Sequence, residues 1–480
     1  MRHSASLLLA AITVTCLPSD GGDHPNVLFL AVDDLRPALG CYGDQTAVTP
    51  AIDRLAEESL VCLRAYCQQA VCCPSRLSML TGLRPDTIRV WDLKTHFRKH
   101  SPDAVTLPEL LRRHGYHTQS IGKIFHGSGA PSKDPPSWSV DPIFDSVRDA
   151  KLRYARSENL SGSGLKRSAT ESADVPDSRY VDGKVCQKAL QALEQRAMSG
   201  DPFFLAVGFR KPHLPFCAPR KYWDLYNPDD IGTPKPQIHP QGAPELATRS
   251  WGELEGYQDI PRDGRLSAQQ IRRLRHGYYA CVSYIDAQIG QLLQQLDDLQ
   301  LRESTIVVLW GDHGFHLGEQ GLWTKANNFE LSTRVPLLIS APGHQKVGPT
   351  SALVEVVDIF PTLAELCELP APDGLEGRSL LSLFKDPQQE FRDSALSQYP
   401  RMKTGNRHQT HGDIMGYALR TERWRFVRWQ EWNSGRVVAE ELYDLEGSTL
   451  ETHNLINAVQ WIDVRAKMRT ALNKRLKPAD

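Results

Sequence analysis

Four apolar runs of this 480-residue chain end directly in residues able to do chemistry. The run NVLFLAV (26–32) leads into Asp33-Asp34, and TIVVLW (305–310) into Gly311-Asp312-His313. HTQSIG (117–122) leads to Lys123 and then His126, and FFLAVGF (203–209) to Arg210-Lys211-Pro212-His213. In parallel α/β sheets, ligands bind in the crevice outside the carboxyl ends of the strands. If these runs are strands of one such sheet, groups from four distant parts of the chain converge on one site.

Adjacent carboxylates repel one another, and a divalent cation relieves that repulsion. A lone Asp-Asp is ordinarily a solvated turn. Two acidic pairs, Asp33-Asp34 and Asp312-His313, each closing a strand, point instead to a metal site. Oxygen-rich ligation favours a hard cation such as calcium or magnesium, while one histidine leaves manganese or zinc open. Lys123, Lys325, His126 and His213 add positive charge and proton donors. Beside a metal they suit a tetrahedral oxyanion, sulfate or phosphate. Taken singly, each would be a surface lysine or a satisfied histidine; the grouping gives them weight. Cys72, in Cys72-Cys73-Pro74-Ser75-Arg76, precedes a helical stretch whose N-terminus favours anions.

These groups need a scaffold. Short apolar runs alternate with helical patterns, the signature of βαβ units and a mostly parallel sheet. The run at 26–32 is apolar throughout, as expected of a strand buried on both faces. Further strands are expected at 117–121, 203–209, 305–310 and 336–340. Thr49-Pro50 opens a helix, with Thr49 as N-cap and proline at the first helical position. Helices are expected at 74–80, ended by Gly82, at 106–114, closed by Gly115, and along 268–299. Residues 145–180 are polar and serine-rich, and 227–264 carry six prolines. Both exceed ordinary loop lengths, and such loops are often binding or lid elements. After about residue 395 short alternating runs at 417–420, 424–429 and 436–443 suggest a small antiparallel C-terminal subdomain.

With 56 basic and 57 acidic residues, the net charge of −1 excludes a general binder of nucleic acid or anionic membranes. An apolar fraction of 40% excludes global disorder. Met1-Arg2-His3 and the short apolar run from Leu7 to Thr15 read as a secretory signal within 1–20. Cys16 offers a lipoprotein acceptor as the alternative, against which Thr13-Val14-Thr15 argues. No later stretch approaches 18 apolar residues, so the mature chain is expected to be exported with no integral membrane segment. Ten cysteines, at 16, 41, 62, 67, 72, 73, 186, 217, 281 and 367, read as buried thiols plus one or two bridges. No second ligand pair supports a structural zinc. Asn159-Leu160-Ser161 is a glycosylation sequon in a eukaryotic host.

Several stretches carry a resemblance. They are DDLRPALGCYGD (33–44), QQAVCCPSRLSMLTGLRPDT (68–87), GYHTQSIGKIFH (115–126), PFFLAVGFRKPHLPF (202–216) and GDHGFHLGEQGLWTKANNF (311–329). With 278–300, 397–401 and 415–421 they span nearly the whole mature chain, which resembles the type I sulfatases. The Cys-x-Pro-Ser-Arg pattern is the one those enzymes convert to formylglycine, with Leu77 and Leu80-Thr81-Gly82 also matching. The resemblance implies an alkaline-phosphatase-like fold: a mixed, mostly parallel sheet flanked by helices, over 24–394, with a C-terminal subdomain over 395–480. It implies that Cys72 is the formylglycine precursor. Asp33, Asp34, Asp312 and His313, with the group made from Cys72, would hold calcium. Arg76 and Lys123 would fix the formylglycine and its charge, with His126 beside them. Lys325 would bind sulfate, and His213 would protonate the leaving sugar oxygen.

The implied activity is hydrolysis of a carbohydrate sulfate ester, a 2-O-sulfated hexuronate at a chain end, after maturation by a formylglycine-generating enzyme. The alternatives are another sulfated glycan, a phosphodiester or phosphonate ester, or plain glycan binding with Cys72 unmodified. Three positions depart from the family pattern: Cys73 at the variable motif position, Phe315 where the family has Trp, and Ala326 where it has Tyr. The last two bear on which sugar is bound.

Overall fold

The structure is a computed structural model that describes residues 24–126, 133–144, 149–161, 164–249, 252–263, 265–344, 346–401, 413–448 and 450–476. The expected signal segment, with Cys16, lies outside them. The central sheet comprises Asn26–Val32 (β1), Leu60–Tyr66 (β2), His117–Gly122 (β3), Phe203–Phe209 (β4), Thr305–Gly311 (β5), Arg334–Val335 (β6), Leu337–Ser340 (β7) and Gly348–Glu355 (β8). Its order is β6-β2-β7-β5-β1-β4-β3, with β8 paired to β2. β5, β1, β4 and β3 are consecutive and mutually parallel. β7 runs antiparallel to β5 and β2, so the sheet is mixed. Register pairs Val32 with both Phe209 and Gly311, and Gly122 with Gly208. The four chemistry-bearing strands therefore end side by side along one edge of the sheet.

The main helices are Pro50–Glu57 (α1), Cys72–Thr81 (α2), Leu107–Arg113 (α3), Val181–Ser199 (α4), Ala268–Asp298 (α5), Ile359–Leu366 (α6) and Ile462–Arg475 (α7). β1 shows why its run is apolar throughout. Leu28, Leu30 and Val32 share a core with α1, α4 and α5. Val27, Phe29 and Ala31 share the opposite core with α2, α3 and α6. Two faces covered by helices leave no polar side for the strand.

The structure corrects several local expectations. α2 starts at Cys72, not Pro74, so the cysteine is the first residue of the helix. Thr49 occupies the N-cap position of α1, but its hydroxyl turns to Asp53. The carboxylate of Asp286, on α5, accepts from the backbone N–H groups of Ala51 and Ile52 instead (3.2 and 2.8 Å). By contrast, Thr106 and Ser267 do close capping boxes, with Glu109 and Gln270. β2, β8 and α4 had no distinct signal. Arg64 interrupts β2, and α4 buries a narrow stripe of mostly small residues, among them Val185, Ala189 and Ala192. The nine described cysteines are all free thiols, so the expected bridges do not form among them. The side chain of Asn159 is buried and its Nδ2 donates to Glu171 at 2.7 Å, which leaves it a poor glycosylation acceptor.

Beyond the central sheet, Ala395–Arg401 (β9), Ile414–Arg420 (β10), Trp424–Glu431 (β11) and Val437–Asp444 (β12) form a four-stranded antiparallel sheet. Met468 and Leu472 of α7 pack on Met415, Leu419, Phe426 and Leu442 of this sheet. No helix among the described residues is long and apolar enough to cross a membrane.

Candidate active site

The strand ends bring the acidic groups together. Asp33 continues β1 by donating its N–H to Phe209 O (3.1 Å). Asp34 then turns into the left-handed region (φ 61°), a conformation that side chains adopt at some cost and that clusters at functional sites. Two bonds hold it there. Its N–H donates to Asp312 Oδ1 at 3.0 Å, and its carbonyl accepts from the Tyr278 hydroxyl at 2.9 Å. His313 Nδ1 lies 3.0 Å from Gly314 O. A carbonyl can only accept, so Nδ1 carries the proton and Nε2 presents a lone pair. That Nε2 lies 3.3 Å from Asp34 Oδ1, 3.6 Å from Asp312 Oδ1 and 3.3 Å from Cys72 Sγ.

Cations surround this cluster. Arg76, fully buried in α2, donates its Nε to Asp312 Oδ2 (2.8 Å) and reaches Asp33 Oδ1 at 3.5 Å. Its Nη1 caps the carbonyls of Lys123 and Ile124. Lys123 pairs with Asp33 Oδ2. Its placement depends on Gly122 (φ +87°), where an added Cβ would stand 2.1 Å from the Gly208 carbonyl oxygen. Gly208 on β4 is equally constrained, since its Cβ would stand 2.1 Å from the Lys123 carbonyl oxygen, and the two glycines together let β3 and β4 approach. Lys325 contacts both oxygens of Asp34 at 2.9 Å, between Thr324 and Ala326, which both have positive φ (69° and 79°). Its Nζ lies 5.8 Å from the centroid of Phe315, which itself stacks on Tyr278. Phe315, one of the divergent positions, thus lies under the lysine.

The loop after β4 supplies His213. Lys211 Nζ donates to His213 O (2.8 Å) and Pro215 O (2.6 Å), shaping the turn. His213 Nδ1 faces Leu214 O at 2.7 Å, and Nε2 points into the site, 3.3 Å from Glu253 Oε1. Glu253 Oε2 lies 2.9 Å from Lys325 Nζ. Sequence reasoning missed Glu253. It lies on the proline-rich 227–264 segment, marked only as a binding element, and no spacing ties it to its partners. His126 sits beside the cluster, and its buried Nδ1 has no hydrogen-bond partner among the described residues. Every residue assigned to the catalytic or metal site from the sequence is therefore in or beside one cluster.

The electrostatics are unbalanced. Burial would raise the Asp33 carboxyl, but Lys123, His213 and Arg76 outweigh it and hold Asp33 well below the usual range. Burial raises Asp34 well above it; Lys325 opposes this, and Asp33, Glu253 and Asp312 add repulsion. Burial and the neighbouring Asp33 charge also push the Cys72 thiol well above its ordinary value. Burial and Lys325 hold His213 well below its own, against Glu253 and Asp33. A buried set of carboxylates with one member driven towards protonation is what a bound divalent cation would relieve. Ligand atoms of Asp33, Cys72, Asp312 and His313 lie within 4.8 Å of one another, as do those of Asp33, Asp34, Cys72 and His213. Carboxylate oxygens with one imidazole nitrogen suit a hard divalent ion, and the Gly314 carbonyl orients that imidazole. The donors fit a metal.

The family model described as Sulfatase matches residues 25–369, and one described as N-sulphoglucosamine sulphohydrolase, C-terminal, matches 318–477. Human iduronate 2-sulfatase is 35% identical over 522 residues, covering 92% of this chain and 93% of the human protein. Among solved structures, a protein captured with its substrate D-glucosamine-2-N,6-O-disulfate superposes with a TM-score of 0.75 at 20% identity, covering 95% of this chain and 99% of that one. A phosphonate monoester hydrolase from Silicibacter pomeroyi gives 0.76 at 20% identity, covering 95% and 96%. These two show the shared alkaline-phosphatase-like fold. The chain belongs to the sulfatase family and is a sulfuric ester hydrolase.

Proposed function

We propose that this sulfatase removes sulfate from a 2-O-sulfated hexuronate at the end of a sugar chain, with a formylglycine made from Cys72. The observation that carries this reading is the setting of Cys72 Sγ. It is buried at the start of α2, 3.3 Å from His313 Nε2, among three buried carboxylates. Burial and Asp33 keep the thiol protonated, so an unmodified Cys72 is a poor nucleophile here. Converted to formylglycine by a modifying enzyme, the same position supplies an aldehyde hydrate, whose hydroxyl can attack sulfur.

The other residues then take distinct tasks. Asp33, Asp34, Asp312 and His313 Nε2 would hold a calcium ion, which screens the negative charge of the ester. Arg76 and Lys123 fix the strand-end carboxylates around Cys72, with His126 next to them. Lys325 Nζ offers a charged donor to a sulfate oxygen. His213 gives a proton from Nε2 to the departing sugar oxygen as the imidazolium, with Nδ1 donating to the Leu214 carbonyl and Glu253 beside Nε2 favouring the charged ring against burial; such a step is worth about 10²–10⁴ in rate for a poor leaving group. The sugar assignment is supported by the extent of the match to the human iduronate 2-sulfatase. The catalytic unit is read as 24–394, with 395–480 as its C-terminal subdomain, and the chain as an exported protein.

The test is the mass of the tryptic peptide 65–76 from a host able to modify sulfatases, followed by turnover of sulfated and phosphorylated sugars. Loss of hydrogen sulfide with gain of one oxygen at Cys72, together with release of sulfate from a terminal 2-O-sulfated uronate, is expected. An intact thiol in active enzyme, or a large preference for phosphate or phosphonate esters, would overturn the proposal.

A further inference from the structure

Glu253 is out of place by simple electrostatics. It adds a fourth carboxylate, its side chain only 10% exposed, to a site that already holds three buried ones, and it worsens the repulsion at Asp34. Burial of an added charge is costly, so a residue kept there for stability alone would be better neutral. Its contacts suggest a different reason. One oxygen lies 3.3 Å from His213 Nε2 and the other 2.9 Å from Lys325 Nζ. The charge is secure, because Lys325 and His213 overcome burial and hold Glu253 down to about 2.

The carboxylate is also held from behind. Leu254 and Tyr257 bury their side chains in the core on either side of a short turn. Lys166 Nζ donates to the Glu253 carbonyl at 2.9 Å and sits 5.2 Å from the centroid of the Tyr257 ring. Earlier in the same segment, Arg401 of β9 donates its Nε to Leu246 O (2.7 Å), and Gln241 exchanges backbone bonds with Thr452 and Asn454 (2.8 Å each). Arg401 is itself placed 4.6 Å over the Tyr399 ring. The C-terminal sheet thus fixes the segment that carries Glu253.

We propose that Glu253 is a positioning residue that holds the His213 ring where the leaving sugar oxygen must be met. The inference rests on the role given to His213 above. The Leu214 carbonyl fixes Nδ1 and leaves the ring free to pivot about that bond. Glu253 Oε1, 3.3 Å from the opposite nitrogen, accepts from it when the ring is protonated and removes that freedom. In proton-transferring enzymes a carboxylate bonded to the imidazole orients the ring and stabilises its protonated form. Small misplacements of such a group cost about 10²-fold in rate.

The experiment compares wild type, Glu253→Gln, Glu253→Asp, His213→Ala and the double variant Glu253→Gln/His213→Ala, all matured. The substrates are a terminal 2-O-sulfated uronate disaccharide and 4-nitrophenyl sulfate, whose leaving group needs little protonation. Glu253→Gln should lower kcat about 100-fold on the sugar and no more than about tenfold on the aryl ester. Glu253→Asp should recover part of the sugar activity. The double variant should be no more than about threefold worse on the sugar than His213→Ala. Equal losses on both esters, an additive double variant, or no loss would overturn the proposal. A second arm needs no turnover. In a crystal structure of the unmodified Glu253→Gln chain, the His213 ring should leave its wild-type orientation, and an unmoved ring would overturn the proposal. This arm decides the matter even if the wild type hydrolyses neither ester, an outcome that would instead count against the proposed function.

Discussion

Two of the buried charge clusters among the described residues are built from different cations. At the strand ends, Asp33, Asp34, Asp312 and Glu253 meet Lys123, Lys325 and a single arginine, Arg76. Where the C-terminal subdomain docks, Glu355 meets Arg84 (2.6 Å), Arg475 (2.8 Å) and Arg392, and also accepts from the Leu396 N–H (2.6 Å). Burial opposes the charge on Glu355, yet three guanidinium groups win and hold it far below the usual range. Asp358, which shares Arg392 at 2.5 Å, is pushed up by burial against Arg392, with Glu355 adding repulsion. Arginine's planar fork locks carboxylates in fixed geometry, whereas lysine is a compact point charge that exchanges partners easily. On the proposed function, the first cluster trades its ion pairs for a metal and an anion. The second is arranged never to open.

Breaking the second cluster should produce the largest effect, and only on stability. Glu355→Gln leaves three partly buried guanidinium groups around a neutral side chain, short of their counter-charge. Removing one partner of a buried pair costs about 3–5 kcal/mol. Denaturant unfolding should show that loss, while kcat of the folded fraction stays at the wild-type value. An unchanged midpoint would mean that the docking cluster is not what holds the subdomain.

Lys325→Ala should behave the opposite way. Removal of one charged donor to an oxyanion costs about 10²–10³ in rate, or about 3–4 kcal/mol. Stability should fall less than in Glu355→Gln, since Asp34 already lies above the usual carboxyl range and can take up a proton, while Glu253 keeps His213 as a partner. The measurement is kcat/KM beside the unfolding midpoint. A variant that loses stability but keeps its rate would erase the contrast between the two clusters.

Calcium removal sharpens the contrast a step further. A ligand that binds only the folded state at 100 times its Kd stabilises by about 2.7 kcal/mol. Chelation should lower the unfolding midpoint and abolish activity, and added calcium should restore both. The Asp34→Asn variant should lose most of this response, and Glu355→Gln should keep it. A wild-type midpoint indifferent to chelator would remove the metal from the site.

Much of the first cluster could be read from the chain because strand ends are a local signal. An apolar run followed at once by Asp33-Asp34 or Asp312-His313 names both the strand and its cargo, and the parallel sheet then aligns them. Contacts made by tertiary structure alone could not be read. Glu253 finds His213 and Lys325 only because Leu254, Tyr257 and Arg401 pin its segment. Thr49 stands in the right place to cap α1, yet Asp286 from α5 does the capping. Cys73, beside the candidate nucleophile in sequence, packs into the apolar core below α2. The helical period, not adjacency, decides where it points.

Glu441 tests a third arrangement, a buried acid with neither arginine fork nor metal. Trp429 Nε1 and the Tyr443 hydroxyl donate to it at 2.6 and 2.5 Å, both neutral groups. Burial raises its carboxyl from 4.5 to about 7, against these two hydrogen bonds and Arg401, with Glu451 adding repulsion. The folded value lies above the unfolded one, so between these limits the folded chain binds more protons than the unfolded chain. Stability must therefore fall as pH rises through this window and reach its lower plateau above about 7. The full shift corresponds to at most about 3 kcal/mol, since one pH unit is about 1.4 kcal/mol. Relaxation and water entry reduce such penalties, and about 1 kcal/mol is the expected observable part. Glu441→Gln cannot ionise. Relative to wild type it should be more stable at pH 8 than at pH 5, by unfolding in denaturant at both values. An identical difference at the two pH values would mean that Glu441 is ionised in the fold, with Arg401 acting as its counter-ion after all.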